Sequence, residues 1–158
     1  EHGLRPMAVV SNQYSLAELL EDPWGGTCQT LTGDRGAEAR RYYASTPAAL
    51  VNWSSLCGGF FWGRFTRDNL GSFTSDDDKR CIRCFASEAN FTRLDRAAEV
   101  GRRHNATPAQ IALAWQLCGP LNGYPLQASW TPAQARENAA AADLPLTAGE
   151  VAYLNLEG

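Results

Sequence analysis

Apolar residues gather into three short runs, each closed by polar side chains. Met7 to Val10 leads into Ser11, Asn12 and Gln13. Residues 48–53 carry Leu50, Val51 and Trp53 and end with Asn52 and Ser54. Residues 124–129 end at Ser129. Runs of this length without strict alternation predict strands buried on both faces, as in a parallel sheet. Between them the period changes to that of helices. Residues 36–45 are good helix formers, stopped by Thr46 and Pro47. From Asn90, read as a cap, Phe91, Leu94, Ala97, Ala98 and Gly101 recur on one face. The tetrapeptide Thr-Pro-Ala-Gln occurs at 107–110 and again at 131–134. Its threonine can cap a helix, its proline suits the first helical position, and its glutamine can complete a capping box. These predict helices from Pro108 to the Gly119-Pro120 stop and from 132 to about 142. A short helical turn is expected at 16–21, and Thr147 caps a last helix carrying Val151 and Leu154. The order β-α-β-loop-α-α-β-α-α implies right-handed parallel βαβ units and an α/β fold.

Folds of that kind bind ligands at the C-terminal ends of their strands. All three runs deliver polar residues there. The sharpest of these places is 124–138, where a strand runs straight into the marked helix start at Thr131. Its outward N–H groups would attract an anion, phosphate above all. The same features describe an ordinary strand-to-helix junction, and it is the convergence of three polar strand ends that favours a ligand site. The long irregular stretch 55–87 contains Leu56-Cys57-Gly58-Gly59-Phe60-Phe61-Trp62-Gly63-Arg64-Phe65. Its glycines permit close backbone approach, and its four large aromatics could wall a pocket.

Composition narrows the function. At 158 residues the chain fits one domain, and 44% hydrophobic with 20% charged residues is usual for a soluble protein. A net charge of −3 gives no electrostatic reason to expect nucleic acid or an anionic membrane. No apolar run approaches the ~20 residues of a membrane span. Five cysteines, an odd number, point to a reducing cytoplasm. Cys81 and Cys84 form a CxxC without a second ligand pair, since only His104 and His2 could assist, and no strand precedes it. The pair is read as structural, with no metal site. Lys79 is the only lysine among 14 basic residues, and its run Asp76-Asp-Asp-Lys-Arg80 reads as a solvated loop.

Four segments, in order, carry a family resemblance. They are Val10-Ser-Asn-Gln-Tyr-Ser-Leu16, Val51-Asn-Trp-Ser-Ser-Leu-Cys-Gly-Gly-Phe-Phe-Trp-Gly-Arg-Phe65, Thr107-Pro-Ala-Gln-Ile-Ala-Leu-Ala-Trp115 and Thr131-Pro-Ala-Gln-Ala-Arg-Glu-Asn138. Together they resemble the C-terminal part of an aldo-keto reductase. The resemblance implies a TIM (β/α)8 barrel that binds NADPH or NADH and reduces aldehydes and ketones. Residues 1–158 would supply its last three strands as a single partial domain. By position, Gln13 would bond the nicotinamide carboxamide and Trp53 would stack on the ring. Ser54, Leu56 and the backbone around Cys57 to Gly59, Gly58 included, would lie along the pyrophosphate. Ser129 and the helix start at 132 would hold the adenosine phosphates, with Glu137 and Asn138 at the adenine.

Two departures follow from the same comparison. The turn of Ala128, Ser129, Trp130 and Gln134 has no basic residue for the 2′-phosphate of NADPH, and Arg136 falls on the wrong helical face. NADH preference or weak cofactor affinity is expected. The family's Asp, Tyr, Lys and His tetrad belongs to its N-terminal half, so no catalytic residue is assigned here. Three strands cannot close a barrel. The chain, which opens on Glu1, is expected to be a piece of a larger barrel, inactive alone and completed by further sequence, a partner chain or a homo-oligomer. The alternative is a non-catalytic module, a nucleotide sensor or docking domain.

Overall fold

The computed structural model describes residues 7–26 and 28–157. The approach to the first strand, with His2, lies outside them. Strands β1 (Val9–Val10), β2 (Ala49–Asn52) and β3 (Gly123–Pro125) form one parallel sheet in the order β1-β2-β3. Helices α1 (Ala37–Ala44), α2 (Asp76–Phe85), α3 (Glu88–His104), α4 (Pro108–Leu117), α5 (Pro132–Ala139) and α6 (Ala148–Leu154) flank it. This is the expected α/β order of three parallel strands with helical crossovers.

The register sets which side chains share a face. Val10 pairs with Leu50 and Leu50 with Gly123, whereas Val9 pairs with Ala49 and Val51 with Tyr124. Leu50 and Asn52 point into the helical layer and are fully buried. On the other face Val9 and Tyr124 are each 56% exposed, and Met7 and Leu126 extend that apolar surface. Burial of the strands on both faces, as the apolar runs predicted, therefore holds on one face only among the described residues.

The third strand is also shorter than expected. β2 leaves the sheet at Ser54, whose φ is +54°. Beyond Leu126, which donates its N–H to the Asn52 carbonyl at 2.8 Å, the chain has no ladder to join. The predicted turn of helix at 16–21 is absent because tertiary partners hold its backbone. Asn90 accepts from the Glu18 N–H and donates to the Glu18 carbonyl, both at 2.9 Å. Leu19 N–H goes to Thr32 Oγ1, and Leu20 N–H to the Cys84 carbonyl. Asn90 is thus a buried tie between segments rather than a cap, and Ser87 caps α3.

The run Asp76–Arg80 is not a solvated loop. Ser75 caps α2, and three aspartates fill its first turn, where they favour the helix dipole. One turn on, Cys81 and Cys84 face the core. At α4 and α6 the capping boxes of Thr107 with Gln110 and Thr147 with Glu150 are complete. At α5 only half of the box forms: Thr131 Oγ1 accepts from Gln134, but Gln134 Oε1 turns to the Trp130 N–H at 2.9 Å. α5 passes into a 3-10 turn, Ala140–Asp143.

The core lies between α2, α3, α4 and the 3-10 segment Cys57–Trp62. Phe60, Phe61 and Phe65 are at most 1% exposed, and Phe60 meets Phe91 with ring centroids 5.2 Å apart. Three of the four aromatics expected to wall a pocket are therefore core. Burying each stabilises the fold by about 2–3 kcal/mol.

Candidate functional site at the strand ends

Where β2 ends, the backbone makes a tight bend. Ser54, Cys57, Gly58 and Gly59 all have positive φ, and Gly59 at +92° could not carry a side chain without meeting the Trp62 ring at 2.9 Å. The glycines let Trp62 fold over this bend, and Trp62 divides two cavities. The larger, about 630 Å³, is lined by Ser54, Leu56, Gly58, Trp24, Arg64 and the start of α2, with Leu126 and Trp130 opposite. The smaller, about 310 Å³, lies between Trp62, the start of α4 and Gln134, Glu137 and Asn138 of α5.

The predicted site residues divide as follows. Ser54, Leu56 and Gly58 line the larger cavity, and Glu137 and Asn138 the smaller. Ser129 lines neither; the Asn138 amide donates to its hydroxyl at 3.2 Å and to Gln127 Oε1 at 2.7 Å. Trp53 is half-buried, and its ring meets that of Trp24 at 5.2 Å. Gln13 is fully buried: its Nε2 donates to Ser15 Oγ at 2.8 Å and its Oε1 accepts from Thr30 at 2.6 Å. Its backbone bridges to Trp53, so it lies beside the site with its amide turned inward. Asn52, read as a polar group offered at a strand end, instead points into the helical layer, where both amide atoms lack a partner.

The charges of the larger cavity come in pairs. Arg64 binds Asp78 at 2.8 Å, and Arg80 binds Asp77. The Arg64 guanidinium also lies 4.8 Å over Phe65 and 5.2 Å over Phe73, which fixes its position. Burial pushes the Cys81 thiol up to about 12 and raises that of Cys84, so neither wall thiol is a thiolate near neutral pH. Among the described residues no cluster of three His, Cys, Asp or Glu could hold a metal ion.

Sequence reasoning does not single out Trp24, Arg64 or Arg80, whereas Trp62, one of the four aromatics, walls a cavity as expected. A signal existed for Arg80, since Ser75 followed by Asp78 marks a helix start. None exists for Trp24, which reaches the cavity from an irregular segment.

A parallel β/α sheet whose strand ends open onto a cavity is the layout of a (β/α)8-barrel sector. The comparisons agree. The model of the Aldo/keto reductase family matches residues 1–156, and the chain belongs to that family. Over 156 residues it is 30% identical to the aldo-keto reductase str7 of Strobilurus tenacellus, covering 96% of this chain and 42% of that protein. It is 28% identical to versiconal hemiacetal acetate reductase of Aspergillus parasiticus over 72% of this chain and 33% of that one. The structure of a thermostable aldo-keto reductase in complex with the inhibitor epalrestat superposes with a TM-score of 0.58 at 18% identity, over 97% of this chain and 40% of that one. That likeness shows a fold of three parallel strands and flanking helices similar to part of such a barrel. The chain spans less than half the length of these relatives.

Proposed function

We propose that this chain forms the nucleotide-binding end of an NAD(P)H-dependent aldo-keto reductase acting on aldehydes or ketones in the cytoplasm. One observation carries the proposal: two cavities meeting at Trp62 gather Ser54, Leu56, Gly58, Glu137 and Asn138, five of the eight positions that the family resemblance nominated. When bound, the dihydronicotinamide supplies the hydride. The chain supplies the setting. Trp53 and Trp24 offer aromatic faces to a flat ring. Gly58 and Gly59 permit close approach of the backbone, and Arg64 and Arg80 can exchange their aspartates for phosphate oxygens.

The proton donor belongs to sequence outside this chain. Lys79 is exposed on α2, and Tyr14 is buried on the helical side of the sheet. On this proposal the apolar face of Met7, Val9, Tyr124 and Leu126 is where the remaining strands pack, from the same polypeptide, a partner chain or a second copy. Free thiols at all five cysteines suit a reducing compartment. No helix among the described residues is long and apolar enough to cross a membrane.

A second reading, a family module without catalysis, has its own supporting observation: both arginines of the cavity are already neutralised by Asp77 and Asp78. Two measurements separate the readings: titration with NADH, following energy transfer from tryptophan to the nicotinamide, and oxidation of NADH by an aldehyde with the chain joined to a complete barrel. Saturable transfer, weakened about tenfold by Trp53→Ala, supports nucleotide binding. Aldehyde-dependent turnover in addition supports the reductase over a nucleotide sensor. Absence of transfer in the same joined chain leaves the docking module.

A further inference from the structure

An outer cavity of about 600 Å³ opens on the helical side of the sheet and shares no lining residue with the two at the strand ends. One of its walls is Tyr14, only 5% exposed and packed with Leu31, Leu50 and Leu121. The Tyr14 hydroxyl has no hydrogen-bond partner among the described residues, and the residue lines the cavity. Burial, offset in part by Arg40, pushes its pKa up to about 12, so it remains a proton-bearing donor near neutrality. Its ring lies 5.1 Å from that of Trp115, whose Nε1 donates to Asn155 Oδ1 at 2.9 Å and so fixes the indole as an apolar wall.

Two guanidiniums accompany the hydroxyl. Arg40 donates through Nη1 to the carbonyls of Leu31 at 2.6 Å and Gly33 at 2.8 Å, which anchors its head and leaves its other N–H groups unengaged among the described residues. Arg93 donates to Asn90 Oδ1 at 2.9 Å, and desolvation lowers its pKa against the opposing charge of Glu18. Neither forms an ion pair among the described residues, unlike Arg64, Arg67, Arg80, Arg83 and Arg103. Glu18 is the partly buried carboxylate on this wall; Arg41, Asp34 and Glu157 are exposed at the rim, where water screens them. Over the whole wall three arginines balance three carboxylates, but among the partly buried groups Arg40 and Arg93 exceed Glu18 by one positive charge.

We infer that this cavity binds a small organic monoanion with a flat apolar body, its carboxylate on the Tyr14 hydroxyl and Arg40 and its body against Trp115 and Leu121. A dianion would overbalance the wall and meet Glu18. A neutral ligand would leave the guanidiniums uncompensated. The site stands apart from nucleotide binding and is tested separately from it.

The probe is benzoate, with benzamide as its uncharged counterpart and inorganic phosphate as an anion without an apolar body. Binding to the purified protein is read by saturation-transfer NMR and calorimetry. Benzoate is expected to bind at least about tenfold more tightly than either control, and Tyr14→Phe, which keeps the ring and its packing, to weaken it about tenfold. Arg93→Gln is expected to weaken benzoate and leave benzamide unchanged. Equal binding of benzoate and benzamide, tighter binding of phosphate, unchanged affinity in Tyr14→Phe, or no benzoate binding at millimolar concentration would each overturn the assignment.

Discussion

Arg64 and Asp78 meet at 2.8 Å beside the larger strand-end cavity, with Asp78 mostly covered and Arg64 44% exposed. The pair holds a cation beside the proposed pyrophosphate position and neutralises it there. Asp78→Asn keeps the shape and frees the guanidinium. NADH affinity is expected to rise about three- to tenfold, because a charge-assisted contact to phosphate replaces the internal pair. Loss of the pair lowers stability by less than about 1 kcal/mol. Isothermal titration and a thermal melt read the two effects, and unchanged affinity would remove Arg64 from the nucleotide site.

The smaller cavity has Glu137 on its wall and no cation among its lining residues. A 2′-phosphate placed there meets one carboxylate and no guanidinium or ammonium. NADH is expected to bind at least as tightly as NADPH, and Gln134→Arg to raise NADPH affinity about tenfold with little effect on NADH. Tighter NADPH binding by the unaltered chain would show that α5 does not face the adenosine ribose.

Cys118 is the exposed cysteine, whereas Cys57, Cys81 and Cys84 are buried. Burial pushes Cys57 and Cys81 up to about 12, and burial together with Asp22 takes Cys28 to about 11. Thiolates are the reactive form. Thiol titration with a disulfide reagent at mildly alkaline pH should give one fast equivalent, abolished by Cys118→Ser, and four that react only on unfolding. A fast Cys81 or Cys84 would contradict the inert wall drawn for the larger cavity.

Glu150 closes the capping box of α6 and meets His104 Nε2 at 2.8 Å. The Thr147 N–H foremost, with His104 beside it, holds its carboxyl below the usual carboxylate range. A carboxylate depressed on folding stabilises the fold above its unfolded pKa of about 4.3 and loses that effect as pH falls through the folded value. Melting temperature should therefore decline with acidification below about pH 4.3, and Glu150→Gln should flatten that limb while lowering stability at neutral pH. A limb of the same size in the variant would assign it to other carboxylates.

The helix starts were legible because their signal is local. Thr-Pro-Ala-Gln at 107 and 131 and Thr147 with Glu150 name their own caps, and α4, α5 and α6 begin one residue later. Asn90 shows the limit of that signal. Its residue type permits a cap, but its amide is taken by Glu18, 72 positions away in sequence. Charge alone makes the aspartate run at 76–78 look like a solvated loop, while Ser75 and the apolar face of Cys81 and Cys84 decide for a helix. At the strand ends, residue type could nominate Gln13 and Asn52 but could not orient their amides. Pleat direction and the neighbours Thr30 and Ser15 do that.

The sequence by itself determined the strand order, five of the six helices, three of the helix caps and the family, through segments whose spacing survives without knowledge of contacts; α2 lies in the stretch that reads as irregular. Tertiary structure decided what those residues face. It turned three aromatics into core and left Trp62 as the divider of two cavities. It brought α2, far past β2 in sequence, to the rim of the site, where its Asp77 and Asp78 pair with Arg80 and Arg64. It also set Tyr14, in a separate cavity, beside two guanidiniums that form no ion pair among the described residues. The physical reason is range: caps and turns are satisfied within four residues, whereas burial, charge pairing and orphaned donors depend on neighbours that only folding brings together.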